Sequence, residues 1–345
     1  MLDDTFRSRW ARRARTIPTM LGATALGLLL SPLLLPVAII IDLLPRRRRL
    51  PTARTLLFLL QYGLNDSVEI LLAPVYWVRA GFGTRLDDAA SIERHERLQR
   101  WSIDLLARRA EQLLGLRLEL EPGAIEALTP APAILLCRHV SVVDASLPAL
   151  LYQRLGIATR GVMMAELLAD PGFDLIYTRT GSVFIDRDDR PAAVAAVRQL
   201  GAAAFEGRPT VIFPEGRLFR PGRLGRALAQ LQEGHPDRAE RLATLRHVLP
   251  PRPGGVLALL DTMPGDVVVI AHSGLDRFTG FADLAKSAPL TEPIRVGAWR
   301  IAASDIPADA GKRIEWLDQL WCRVDQWIDV ADGSRESLVE RRHQR

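Results

Sequence analysis

The first long pattern in the chain is one that no water-soluble core requires. From Thr16 to Ile41 ("TIPTMLGATALGLLLSPLLLPVAIII") no residue is charged, whereas Arg12, Arg13 and Arg15 precede the run and Arg46 to Arg49 follow it. About 20 apolar residues are enough to cross a bilayer, so a membrane segment is predicted. No small-residue cleavage site follows, and the far flank is strongly basic, which sets the run apart from a cleaved signal peptide. Basic flanks favour the cytoplasmic side, and here both ends are basic. A single span satisfies that rule at one end only. A hairpin bent at Pro32 or Pro36 satisfies it at both, each arm reaching about 20 Å into a core of about 30 Å. Both topologies stay open. The runs 55–64 and 68–78 are also apolar but are interrupted by Asn65, Asp66 and Glu69. They read as interfacial, with Tyr76 and Trp77 at headgroup depth, although a core helix has the same composition.

Beyond "AGFGTR" the periodicity changes. Leu98, Trp101, Leu105, Leu106 and Leu113 form a rough helical stripe between Ala89 and Leu116, as in an amphipathic connecting helix. Short apolar runs then alternate with helical stretches: 132–137, 181–186, 209–213 and 266–271 read as buried strands, and 191–205 as a helix. This alternation predicts an α/β fold, a mixed and largely parallel sheet flanked by helices, preceded by N-terminal membrane-embedded helices. The polar, arginine- and glycine-rich stretch 220–255 reads as a surface insertion. Ile314, Leu317, Trp321, Val324 and Ile328 recur at helical spacing and predict a C-terminal amphipathic helix packed on the sheet. The expected division is a membrane-anchoring segment over 1–85 and an α/β domain over 86–345.

Composition narrows the function classes. The formal charge is +5 and the isoelectric point about 9.7, carried almost wholly by arginine, since Lys286 and Lys312 are the only lysines. That excess fits phosphate-bearing partners. No nucleic-acid-binding motif or aromatic-basic platform accompanies it, so lipid headgroups fit better than nucleic acid. The two cysteines, Cys137 and Cys322, form no paired motif, and the six histidines show no metal-ligand spacing.

Three strand ends carry charged residues. In "LLCRHVSVVDASLP" (135–148), His139 and Asp144 cannot meet along one strand or one helix, but a strand-to-helix reversal near Asp144 would join them, with Pro148 tolerated in the first helical turn. A carboxylate on one imidazole nitrogen leaves the other free to take a proton, the arrangement of a general base. Cys137, two residues before His139, would share its strand face and is the alternative nucleophile, although a buried cysteine is ordinary there. "GSVFIDRDDR" ends a strand on Asp186 and Arg187. "TVIFPEGRLFRPG" runs a strand into Glu215, Gly216 and Arg217. In an open α/β sheet such ends line the ligand cleft.

Together these motifs resemble the glycerolipid acyltransferases, the family that includes 1-acyl-glycerol-3-phosphate acyltransferase. The family pattern is N-H-x4-D, then G-x-x-F-I-D-R, then F-P-E-G-T-R, matched here at 138–144, 181–187 and 213–217, with the likeness running from about 90 to 275. Arg138 stands where the family has asparagine, and E-G-R-L replaces E-G-T-R. Residues 245–255 and 316–329 are similar to lysophospholipid acyltransferases with a longer C-terminal part.

The resemblance implies a membrane-bound enzyme moving an acyl group from acyl-CoA or acyl carrier protein to a lysophospholipid hydroxyl. By the same resemblance His139 is the base and Asp144 orients it. The backbone near Glu215 and Gly216 shapes the site and offers an N–H to the oxyanion, and Arg187 and Arg217, with Arg220 and Arg252, hold phosphate. No metal or redox cofactor is expected. The expected partners are membrane lipids, the lysophospholipid and the acyl donor. The expected location is the cytoplasmic membrane, with the site facing the cytoplasm. The same chemistry on another lysolipid, or lipid binding without catalysis, are the rival readings. His272 and Asp276 in "HSGLD" lack the required spacing and read as loop residues.

Overall fold

The computed structural model describes residues 6–44, 49–186, 188–203, 207–276, 278, 283 and 286–343, with side chains described as far as 333. The chain divides into two compact units. The first comprises Met1–Arg117, Ala149–Ala196 and Phe281–Thr291; the second comprises Leu118–Pro148, Val197–Gly280 and Glu292–Arg345.

In the first unit the charge-free run forms one uninterrupted helix, α1 (Phe6–Leu43), which passes through Pro18, Pro32 and Pro36 without reversing. The two interrupted apolar runs likewise merge into a single helix, α2 (Pro51–Arg79), whose first residue is a proline with no N–H to lose. Asp42, fully buried, accepts the Thr52 and Ala53 amides at 3.1 and 3.0 Å and so caps α2 from the end of α1. Thr24 meets Gly63 and Gly27 meets Leu60, so the two helices run antiparallel. A Cβ on Gly63 would lie 2.5 Å from the Thr24 hydroxyl, so only glycine fits there. Both helices are long and apolar enough to cross a membrane, with mean hydropathy of 2.4 and 1.3 over their most apolar stretches.

Farther along the unit, α3 (Ala89–Arg109) continues into a wider turn to Leu114. Its buried positions include His95, Glu96, Leu98, Gln99 and Ser102, whereas Trp101 of the anticipated stripe is 41% exposed. A parallel pair of strands, β3 (Arg160–Met164) and β4 (Val183–Ile185), also belongs to this unit.

Among the described residues, the second unit holds five strands. These are β1 (Leu118–Leu120), β2 (Ile134–Cys137), β5 (Thr210–Ile212), β6 (Val267–Ser273) and β7 (Ile294–Ile301), in the order β1-β7-β6-β2-β5. All pairs are parallel except β6 with β7. Every residue of β2 and β6 is buried, which explains their unbroken apolar runs. Ile134, Leu135 and Leu136 have no exposed surface, each contributing about 1.5–3 kcal/mol through burial. Helices α4 (Ala124–Leu128), α7 (Pro221–Gly234), α8 (Pro236–Arg241) and α9 (Pro253–Thr262) belong to this unit. Helices α5 (Leu147–Arg154) and α6 (Arg190–Ala202) run across the division between the units.

The C-terminal amphipathic pattern becomes α10 (Ala310–His343), and Leu317, Trp321, Val324 and Ile328 are completely buried, so its apolar face is core. Asp318, buried among them, is neutralised by Arg238 and Arg241. Asp325 accepts the amides of Arg246 and His247, fixing the chain that leads back to the ends of β2 and β6.

Candidate active site

β2 ends at Cys137, and the chain reverses through a short 3-10 turn, Asp144–Ser146, directly into α5, with Pro148 as the second residue of that helix. The reversal brings His139 and Asp144 together: His139 Nδ1 lies 2.7 Å from Asp144 Oδ1. A carboxylate there assigns the proton to Nδ1 and leaves the Nε2 lone pair open. About a fifth of the His139 side chain stays accessible, and among the described residues nothing bonds its Nε2. The ring lies against Phe213, with centroids 4.4 Å apart.

Asp144 is buried. Its other oxygen, Oδ2, accepts the Val140 and Ser141 amides at 2.5 and 2.8 Å, an arrangement the tight turn makes possible. Burial alone would push this carboxyl up, but the bonds from His139 and His272 outweigh it and hold the group well below the usual carboxylate range. Asp144 therefore stays ionised.

The third motif also comes to this place, with a different job from the one expected of it. Glu215 is buried, and its oxygens accept the His139 amide and the Leu249 amide, each at 2.8 Å. Burial pushes its carboxyl up to about 8, against the pull of those two amides and of Arg138. With both oxygens engaged inside the protein, Glu215 is a strut and not a substrate contact. Gly216 takes the left-handed conformation (φ 64°) that a glycine adopts without strain, and its N–H is already given to the Phe213 carbonyl at 3.0 Å. It is not free for an oxyanion.

The arginines divide in the same way. Arg220 donates to the carbonyls of Val140 and Phe219 at 2.7 and 2.6 Å and so braces the His139 turn. Arg217 is exposed, with no bond among the described residues, and Arg252 is exposed with its stem against Gly216. Arg187 lies outside the described residues.

Arg138 has no exposed surface. It donates to the carbonyls of His272 and His247 at 2.7 and 2.9 Å and forms a two-pronged ion pair with Asp276. It ties the ends of β2 and β6 to the loop before α9. Asp276 stays below the usual carboxylate range because Arg138 offsets the cost of its burial.

Cys137 is buried, and burial together with the nearby Asp144 charge pushes its thiol well up. A neutral buried thiol is no nucleophile, which removes the alternative raised by its position beside His139.

Sequence spacing missed His272, which is part of β6 and not of a loop. It is buried, with Nε2 3.4 Å from Asp144 Oδ2. A signal was present. Ile134 pairs with Val267 and Cys137 with Ile270, and the Arg138 amide continues that ladder to the Ile270 carbonyl. "ILLCRH" and "VVVIAH" therefore end on histidines at the same offset on neighbouring parallel strands.

Residues 123–272 match the family model described as Acyltransferase, a stretch that contains His139, Asp144, Glu215 and His272. Among solved structures, the chain is similar to the 1-acyl-sn-glycerophosphate (LPA) acyltransferase PlsC from Thermotoga maritima. The identity is 16% and the TM-score 0.44, over 78% of this chain and 97% of that one. No curated protein matches the chain.

Proposed function

From the match of residues 123–272 to the Acyltransferase family model, we propose that the chain moves a fatty acyl group from acyl-CoA or acyl carrier protein to the free hydroxyl of a lysophospholipid. The acceptor of this reading is 1-acyl-glycerol-3-phosphate and the product phosphatidic acid. The observation that carries it is the His139–Asp144 pair, with Nε2 free on an accessible ring.

A thioester is already activated, so the protein must mainly deprotonate the alcohol and align the two substrates. His139 Nε2 takes the hydroxyl proton as the oxygen attacks the thioester carbonyl. Asp144, held ionised, stabilises the imidazolium that results. When the tetrahedral intermediate collapses, the C–S bond breaks and the departing thiolate takes that proton back, leaving ester, thiol and a neutral imidazole. No metal or redox group enters these steps. Arg217 and Arg252, exposed beside the third motif, are suited to an acceptor's phosphate. The two long apolar helices fit a membrane-bound protein, and the reading sets its site on the cytoplasmic face, where soluble acyl donors are found.

The test is thiol release from a long-chain acyl-CoA by membranes containing the protein, with lysophosphatidic acid as acceptor. Acceptor-dependent release that vanishes in His139→Ala is expected. Release that persists in the variant overturns the base assignment. No release with any lysophospholipid, from either donor, turns the reading to lipid binding without catalysis.

A further inference from the structure

Asp144 is served unevenly. Its Oδ1 faces His139 alone, whereas Oδ2 receives the Val140 and Ser141 amides and lies 3.4 Å from the Nε2 of His272. The same Nε2 lies 3.4 Å from the Arg138 carbonyl. Both neighbours are acceptors, so the hydrogen belongs on Nε2. The His272 Nδ1 is buried with no hydrogen-bond partner among the described residues, which suits a bare lone pair there. The family motif and the turn account for His139 and Asp144. Neither accounts for a second buried histidine directed at the same carboxylate from the adjacent strand.

We propose that His272 is a positioning residue for the His139 base: its Nε2–H completes the set of donors on Asp144 Oδ2, so the carboxylate is held ionised, cannot rotate, and presents Oδ1 to His139 alone. This rests on the acyl-transfer reading of His139. Two physical consequences follow. A carboxylate that lost this donor could turn toward its amides and loosen the His139 ring, which depends on one hydrogen bond for its orientation. Its charge would also act more strongly on His139, favouring the imidazolium over the free base. Among the described residues, the other charged groups near His272 are Arg138 and Asp276, paired with each other, and Asp332 of α10, bonded to the neighbouring Ser273. On β7, Arg295 pairs in register with Ser273. Among the described residues, none of these bonds to Asp144.

The test uses the full-length protein in membranes or detergent and compares wild type, His272→Phe, His272→Gln and His139→Ala. Phenylalanine keeps a ring without the donor, whereas the glutamine amide reaches about where Nε2 was. Expected for His272→Phe is a fall in kcat of about tenfold with KM for both substrates nearly unchanged. The acid limb of its kcat profile should move up by about half a pH unit. His272→Gln should keep most of kcat and the original profile. Wild-type kcat and profile in a folded His272→Phe protein overturns the proposal. If that variant does not fold, His272→Gln is compared with His272→Asn, whose shorter amide falls short, and equal activity of that pair overturns it. Activity lost in His139→Ala but untouched by His272→Phe sinks this inference alone. Should the wild type release no thiol at all, the acyl-transfer reading has failed. The NMR signal of the His139 Nδ1–H then decides, since His272→Phe must weaken its hydrogen bond to Asp144 and His272→Gln must not.

Discussion

Two aspartates in this chain are buried to nearly the same degree and put to opposite use. Asp144 is met by two imidazoles and two turn amides. Asp174, in the first unit, is met by the guanidinium groups of Arg12 and Arg13 at 2.8 to 3.2 Å. Burial pushes both carboxyls up, and in both the partners outweigh it and hold the group below the ordinary range. The difference lies in what the partner can do next. A guanidinium keeps its proton at any physiological pH, so Asp174 forms a permanent tie between the start of α1 and the 173–177 turn. An imidazole can gain and lose a proton, so under the acyl-transfer reading the same anion beside His139 would stabilise a charge that comes and goes.

The comparison breaks most visibly at Asp144. Asp144→Asn should cut acyl transfer on the order of 10³- to 10⁴-fold, because an amide no longer dictates which nitrogen of His139 holds the proton. Steady-state thiol release checks this, and a loss under tenfold would put Asp144 with Asp174 among purely structural carboxylates. Next in size, Asp174→Ala should cost about 3 kcal/mol of stability by removing the buried carboxylate that both arginines share, while kcat per folded molecule stays near wild type. Denaturant melts read alongside kcat separate the two, and a variant of unchanged stability but low kcat would reverse the contrast.

A smaller effect concerns Glu215, a carboxyl shifted the other way. With its folded value near 8 against an ordinary 4.5, the folded protein keeps a proton that the unfolded chain has lost throughout that window. Its contribution is therefore complete below about pH 4.5 and declines as pH rises toward 8, by at most about 1.4 kcal/mol per pH unit. Asp144, with its lowered value, works in the opposite sense and loses its contribution as pH falls. Melting temperatures of wild type and Glu215→Gln between pH 5 and 8 test this. The variant should be less stable at low pH but flatter in its pH dependence, and parallel curves would refute the raised value. The smallest expected change is Cys137→Ala, which should leave acyl transfer within about twofold, since its thiol stays neutral and buried. Loss of transfer in that variant would restore the cysteine as a nucleophile.

What the sequence alone determined is what short-range pattern can encode. Twenty-six positions from Thr16 to Ile41 without a charge specify an apolar membrane-seeking segment, although its running on as one helix through Pro32 and Pro36 was decided by the fold. The continuous apolar runs of β2 and β6 announce buried parallel strands, and His139 and Asp144 are close enough in the chain for one tight turn to join them. Other features are pairings between distant segments, which local spacing does not contain. "IRVGAWRI" holds two arginines and a glycine, and it is a strand because β6 offers it an antiparallel partner. Arg138 and Glu215 stand in motifs at strand ends, where a ligand cleft is expected, yet the fold turns both inward, one to Asp276 and the other to two backbone amides. Arg12 and Arg13 look like a membrane flank until Asp174 is brought against them. His272 meets Asp144 only because β6 lies beside β2 in one particular register. Strand order and register follow from burying all the apolar faces of the unit at once, and that is a property of the assembled chain rather than of any stretch of it.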